Sequence, residues 1–206
     1  MIYTLYPDSI NQQIVKECAQ KLLAGEIAII PTDSVYAVVG DFMNPKSLKK
    51  LAEIKKESVK EAEFSFLFTN LSQVSEYTQS VGGSTFKFMK QCFPGPYTLV
   101  LESNITLARK LGQKRKTIGV RLPDNEIVRA LAEQIGRPLA SASLHHDDEL
   151  LQYPTDPDEI VANYAHKVDF VINGGWGDNT PSTVIDLTTP APTLIRAGKG
   201  DVEILE

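Results

Sequence analysis

Between Gly25 and Asp41 the chain reads GEIAIIPTDSVYAVVGD, and the middle of that stretch gathers Thr32, Asp33, Ser34 and Tyr36 into one short run. These side chains supply two hydroxyls, a carboxylate and a phenol. They follow Ile27 to Ile30, an apolar run too short for a helix and rich in β-branched residues, which therefore reads as a strand buried on both faces and stopped by Pro31. Ligands of α/β proteins sit beyond strand ends, so the oxygen cluster is a candidate binding turn. Thr, Asp and Ser also serve ordinary turns by hydrogen-bonding the local backbone, and the residue types leave both readings open.

Other reactive side chains cluster elsewhere. RKLGQKRK brings together Arg109, Lys110, Lys114, Arg115 and Lys116, a local basic patch of the kind that holds phosphates. Lys55, Lys56 and Lys60 alternate with Glu57, Glu61 and Glu63, which reads as a solvated mixed-charge loop. His145 and His146 precede Asp147, Asp148 and Glu149, but adjacent residues point in different directions and no further ligand stands at helical spacing. A hydrated loop is the expectation there, and no metal site is assigned. Cys18 and Cys92 fall inside apolar helical patterns far apart in sequence, so they read as buried thiols.

The elements that must carry these groups follow from periodicity. A helix with Ile14, Cys18 and Leu22 on its core side begins at Ser9 or Asn11 and closes at Gly25. After a strand from Val35 to Val39, Asn44 and Pro45 open a second helix through Leu48, Leu51, Ala52 and Ile54, ending near Lys55. FSFLF (Phe64 to Phe68) reads as a strand, and Phe86, Phe88, Met89 and Phe93 as a helix ended by PGPYT. Strands are expected at Thr98 to Glu102, Thr117 to Pro123, Pro138 to Ser143, Val168 to Gly175, from Ser182 in STVIDL, and in TLIRAGKG up to Arg196. A helix capped by Asp124 or Asn125 carries Ile127, Val128, Leu131 and Ile135 up to Gly136, and another begins around Asp156 and Pro157. Helices and strands alternate early and strands crowd the end, so the expected fold is one α/β domain, residues 1–206, built on a mixed sheet.

The 206 residues, 42% hydrophobic and 23% charged, suffice for one domain with a full core. No apolar run approaches a membrane span, and MIYTLYPDSI lacks a basic start and apolar core of a signal peptide. The expectation is a soluble, cytoplasmic protein. A net charge of −5 argues against non-specific coating of nucleic acid.

IIPTDSVYAVVGD, LAEIKK, PGPYTLVL, TIGVRLP, LASAS, VDFVINGG, PSTVIDL and LIRAGKGD come in the order and spacing of the YrdC/YciO family of threonylcarbamoyl-AMP synthases, which the chain resembles over nearly its whole length. The resemblance implies a single-domain twisted open α/β sheet with flanking helices and a concave, positively charged cavity. It also implies an L-threonylcarbamoyladenylate synthase-type nucleotidyltransferase that condenses threonine, bicarbonate and ATP, with Mg²⁺ as the counter-ion of the phosphates and no tightly bound cofactor, for the threonylcarbamoyladenosine of tRNA. tRNA or double-stranded RNA is a further implied partner, and the basic segment would hold it.

Carried over residue by residue, Thr32 and Ser34 match the family's opening-turn contacts to the amino acid, Arg121 its carboxylate-binding arginine and Ser182 a substrate contact. Lys55 matches the phosphate-side lysine, Thr117 and Ser141 the nucleotide contacts, and Arg196 the late arginine facing the nucleotide. Lys55 and Arg121 thereby become the expected catalytic pair. Typical synthases have Lys-x-Arg where this chain has Lys55, Lys56 and Glu57, and Ser-x-Asn where it has Ser141, Ala142 and Ser143. The YciO branch departs at the same two places. Lys56 and Ser143 are then the expected nucleotide-side substitutes, and the implied activity is weak. A protein of the same fold that binds double-stranded RNA, tRNA or a nucleotide without efficient turnover is the alternative.

Overall fold

The computed structural model describes residues 1–104, 116–144 and 153–206. Its strands are β1 (Ile2–Thr4), β2 (Ile27–Ile30), β3 (Ala37–Asp41), β4 (Ser65–Leu67), β5 (Tyr97–Glu102), β6 (Thr117–Arg121), β7 (Leu139–Ser143), β8 (Phe170–Asn173), β9 (Thr183–Asp186) and β10 (Thr193–Arg196). The helices are α1 (Gln12–Leu23), α2 (Pro45–Ile54), α3 (Leu71–Ser75), α4 (Gly83–Cys92), α5 (Glu126–Ile135) and α6 (Pro157–Tyr164). All the described strands form one sheet in the order β1-β8-β2-β3-β7-β4-β6-β5-β9-β10. It is mixed: β4 and β6 run parallel, as do β5 and β9, whereas β3 and β7 run antiparallel.

Local chemistry sets the helix ends. Asn11, not Ser9, caps α1 by accepting the amides of Gln13 and Ile14, and Gly25 reverses the chain into β2 with φ 97°. Asn125, not Asp124, caps α5 by accepting from Ile127 and Val128, and Gly136 ends it in the left-handed region. The helix expected around Phe86 to Phe93 is present as α4, but only Met89 and Cys92 are its buried residues, and Phe86 faces solvent. Strand β1 and the short α3 were not anticipated, because three and five residues leave no period to read.

The two faces of the sheet are covered differently. Ile27, Ile29, Val38, Phe66, Leu99, Ile118, Val120 and Ile185 share a core with Leu48 and Leu51 of α2, Met89 of α4 and Ile160 of α6. On the opposite face Ala28, Ile30, Val39, Leu67, Leu139 and Phe170 pack beneath Cys18 and Leu22 of α1 and Val128 and Leu131 of α5. No residue of β5, β6, β9 or β10 joins that second core. Side chains alternate along a strand, so with Ile118 and Val120 in the first core, Thr117, Gly119 and Arg121 face the uncovered area.

Candidate functional site

The uncovered half of that face is concave. A cavity of about 380 Å³ opens there, with Lys55, Ser65, Thr98, Thr117, Gly119, Arg121, Ser141, Ser143, Ser182 and Arg196 in its wall. Gly119 keeps the floor low, because a Cβ there would lie 2.9 Å from Ser65 Oγ and 3.2 Å from Thr98 Cγ2. The wall hydroxyls are placed by the sheet itself: Ser141 Oγ donates to Ser65 O (3.2 Å), and Thr98 Oγ1 and Ser182 Oγ lie 2.8 Å apart.

Arg121 dominates one end. Its Nη2 donates to Asp33 Oδ1 (3.0 Å) and Ser34 Oγ (2.9 Å), with Thr32 Oγ1 at 3.5 Å. The Arg121 and Asp33 side chains are only 6% and 8% exposed, so this is a buried ion pair. Asp33 Oδ2 also accepts the Asp124 amide at 3.0 Å, and Thr32 Oγ1 accepts the Ser34 amide and donates to Val35 O. Burial pulls the Arg121 guanidinium below its ordinary range; Asp33 opposes that shift and the nearby Arg196 adds to it. An arginine keeps its charge even so. Its Nε–H is buried with no partner among the described residues. An orphaned buried donor is costly unless a ligand accepts from it, and this one belongs to a residue of the cavity wall.

Two further cations border the cavity. Lys55 is the C-cap of α2, and its Nζ lies 3.7 Å from Glu57 Oε2, which offsets part of its charge. Arg196 ends β10 and donates from Nη2 to Ser182 O at 2.8 Å. With Asp33 neutralising Arg121 locally, the cavity still presents cations and hydroxyls to a small anion, while Glu63 contributes one carboxylate to the wall.

The structure thus gathers Lys55, Thr117, Arg121, Ser141, Ser143, Ser182 and Arg196 at one cavity. Thr32 and Ser34 stand behind Arg121 and hold it rather than lining the wall. Lys56 is exposed, takes a left-handed backbone with φ 56°, and is not among the lining residues. Arg109, Lys110, Lys114 and Arg115 lie outside the described residues, as do His145 to Glu149; Lys116 is described and exposed, immediately before β6. Tyr36 is spent on architecture: its hydroxyl donates to Gly175 O (2.6 Å) and accepts from Gly174 N (3.2 Å). Sequence reasoning missed Thr98, Glu63 and the pairing of Asp33 with Arg121. An acidic residue between two hydroxyls beyond a strand end was the available signal, but its partner lies 88 positions away.

Among the described residues no group of His, Cys, Asp and Glu could hold a metal ion, and no helix is long and apolar enough to cross a membrane.

Residues 20–198 match the Sua5/YciO/YrdC family model, described as "Telomere recombination". The chain is 34% identical to the uncharacterized protein YciO of Escherichia coli K12 over 203 residues, 98% of this chain and 97% of that protein. The crystal structure of E. coli YciO superposes with a TM-score of 0.91 at 33% identity, covering all of this chain and 99% of the other. The threonylcarbamoyl-AMP synthase of Pyrococcus abyssi is 26% identical over 200 residues, 97% of this chain but 58% of that protein. P. abyssi Sua5, whose crystal structure is a complex with L-threonine, superposes with a TM-score of 0.88 at 25% identity, over 98% of this chain and 59% of that one.

Proposed function

The chain belongs to the Sua5/YciO/YrdC family, and from that premise we propose that it is a slow L-threonylcarbamoyladenylate synthase, joining threonine, bicarbonate and ATP into threonylcarbamoyl-AMP with release of pyrophosphate and water. The observation that carries this reading is the buried Arg121 in the cavity wall, with an Nε–H that no atom of the described residues accepts. A carboxylate satisfies such a donor with a charge-assisted bond, and a related Sua5 holds L-threonine.

In this reading Arg121 takes the threonine carboxylate, while Asp33, Ser34 and Thr32 fix its guanidinium plane. Lys55 and Arg196 meet the phosphates, whose remaining charge Mg²⁺ offsets as part of the nucleotide substrate. Thr117, Ser141 and Ser143 offer hydroxyls to the nucleotide, and Ser182, held by Thr98, offers one to the substrate. The concave wall limits water around a labile carbamate.

Slowness follows from Glu57. Its carboxylate engages the lysine that should face phosphate, so a nucleotide must compete with it. The test is isotope-labelled threonine and bicarbonate incubated with ATP, Mg²⁺ and the pure protein, scored for adenylate and pyrophosphate. Slow formation of both supports the reading. Tight binding of nucleotide or of tRNA without any adenylate favours the binding protein of the same fold, and for RNA the affinity should then fall steeply with salt through Arg109 to Lys116.

A further inference from the structure

Lys199 lies outside the cavity wall, yet it joins the two segments that flank the cavity. Its Nζ donates to Asp33 O at 2.7 Å and pairs with Asp178 Oδ2 at 2.8 Å. Asp33 belongs to the turn that holds Arg121, and the same turn is tied to the other loop where Asp178 N meets Ser34 O at 3.3 Å. Lys199 itself comes from the segment that follows Arg196.

That segment is anchored on its far side without the Lys199 side chain. Lys199 N donates to Pro181 O at 2.8 Å, Gly198 N to Thr183 Oγ1 at 3.0 Å, and Thr183 Oγ1 to Gly200 O at 2.6 Å. Close approach there requires glycine, since a Cβ on Gly198 would come within 2.2 Å of Pro181 O and one on Gly200 within 2.5 Å of the Tyr97 ring. The lysine side chain reaches the opposite way, from the anchored segment to the Thr32–Ser34 turn.

We propose that Lys199 is a positioning residue that fixes the Arg121-holding turn against the segment carrying Arg196, and so sets the spacing of the two guanidiniums across the cavity. The proposal rests on reading the cavity as the anion site described above. Arg121 and Arg196 are like charges in one cavity wall, so their repulsion favours wider spacing and the Lys199 bridge opposes it. The Lys199 and Asp178 side chains are 41% and 31% exposed, and a pair so wet adds little to global stability. The bridge therefore matters for where the segments sit more than for whether the chain folds. Lys199 also holds the Asp178 carboxyl below the usual carboxylate range, so the pair is intact at neutral pH.

The test compares Lys199→Met with Lys199→Arg, which keeps a charged donor. In Lys199→Met, amide exchange across residues 32–36 and 177–183 speeds up about ten-fold while α1 and α5 keep their protection. The threonine KM rises about ten-fold with kcat within about two-fold, and Lys199→Arg restores most of both. Asp178→Asn, which leaves the bond to Asp33 O, gives a smaller effect. Calorimetry with inorganic pyrophosphate reads the same spacing without turnover. Unchanged exchange together with unchanged pyrophosphate affinity in Lys199→Met overturns the proposal. A wild type that makes no adenylate, but loses pyrophosphate affinity on Lys199→Met, overturns the synthase reading and leaves the positioning role standing.

Discussion

One face of the sheet holds two regions with opposite fates. Under α1 and α5, the strand positions are Ala28, Ile30, Val39 and Leu139, all fully buried and apolar. Further along the same face, the equivalent positions are Ser65, Thr98, Thr117, Gly119, Ser141 and Ser182, which line the cavity. Both regions share the same alternation and the same backbone ladder. What differs is the cover: where a helix packs, inward positions are selected for area removed from water, and where none packs hydroxyl-bearing residues and a glycine stand beside Val100 and Val184. The second region therefore offers polar groups to the cavity instead of apolar area to a helix.

The largest way to break that contrast is Arg121→Ala, which leaves the Asp33 carboxylate buried with only the Asp124 amide on its other oxygen. Loss of one partner of a buried pair costs about 3–5 kcal/mol, so chemical denaturation should show the uncovered region to be as costly to injure as the covered one. On the proposed function threonine binding is lost as well, and adding Asp33→Asn recovers stability but not binding. Leu131→Ala, in the fully buried wall of α5, should cost about 2–5 kcal/mol in the same measurement while leaving threonine affinity in calorimetry unchanged.

Gly119→Val sharpens the contrast from the other side. It crowds Ser65 and Thr98, costs about 1–3 kcal/mol, and fills the cavity floor, so ligand binding falls far more than stability does. An effect absent at neutral pH concerns the thiols, neither of which lines the cavity. Burial pushes Cys18 and Cys92 up to about 12 from an ordinary value of 9.0. The native chain then keeps protons that the unfolded chain loses, so stability is intact below pH 9 and declines as pH rises toward 12. A melting series between neutral and alkaline pH should follow that course, and native thiols should resist alkylation at neutral pH.

The covered region was legible because its chemistry is periodic. Val128, Leu131 and Ile135 announce α5, and the Asn125 cap with Gly136 brackets it. The strands of the cavity are legible as strands for the same reason, and the family's motifs point to Arg121, Ser141, Ser182 and Arg196 from the sequence alone. The links among them are not. Asp33 finds Arg121, and Lys199 finds Asp33, only after the sheet has brought distant segments together, and spacing along a chain carries no trace of such pairs. Lys56 shows the converse failure: its charge suited a phosphate, but the left-handed turn after α2 leaves it out of the wall while Lys55 enters.

The parallel pairing of β5 with β9 has a consequence for biosynthesis. Tyr97–Glu102 emerges long before Thr183–Asp186, yet β9 is its neighbour on one side. Until the later segment is translated, β5 presents an open row of amides and carbonyls to the crowded surroundings of the ribosome, a template for mispairing. The nascent chain also lacks Ser182 and Arg196, so the cavity has no far wall. The far wall of the cavity and the cover of the β5 edge thus arrive together, once Ser182 to Arg196 have been made.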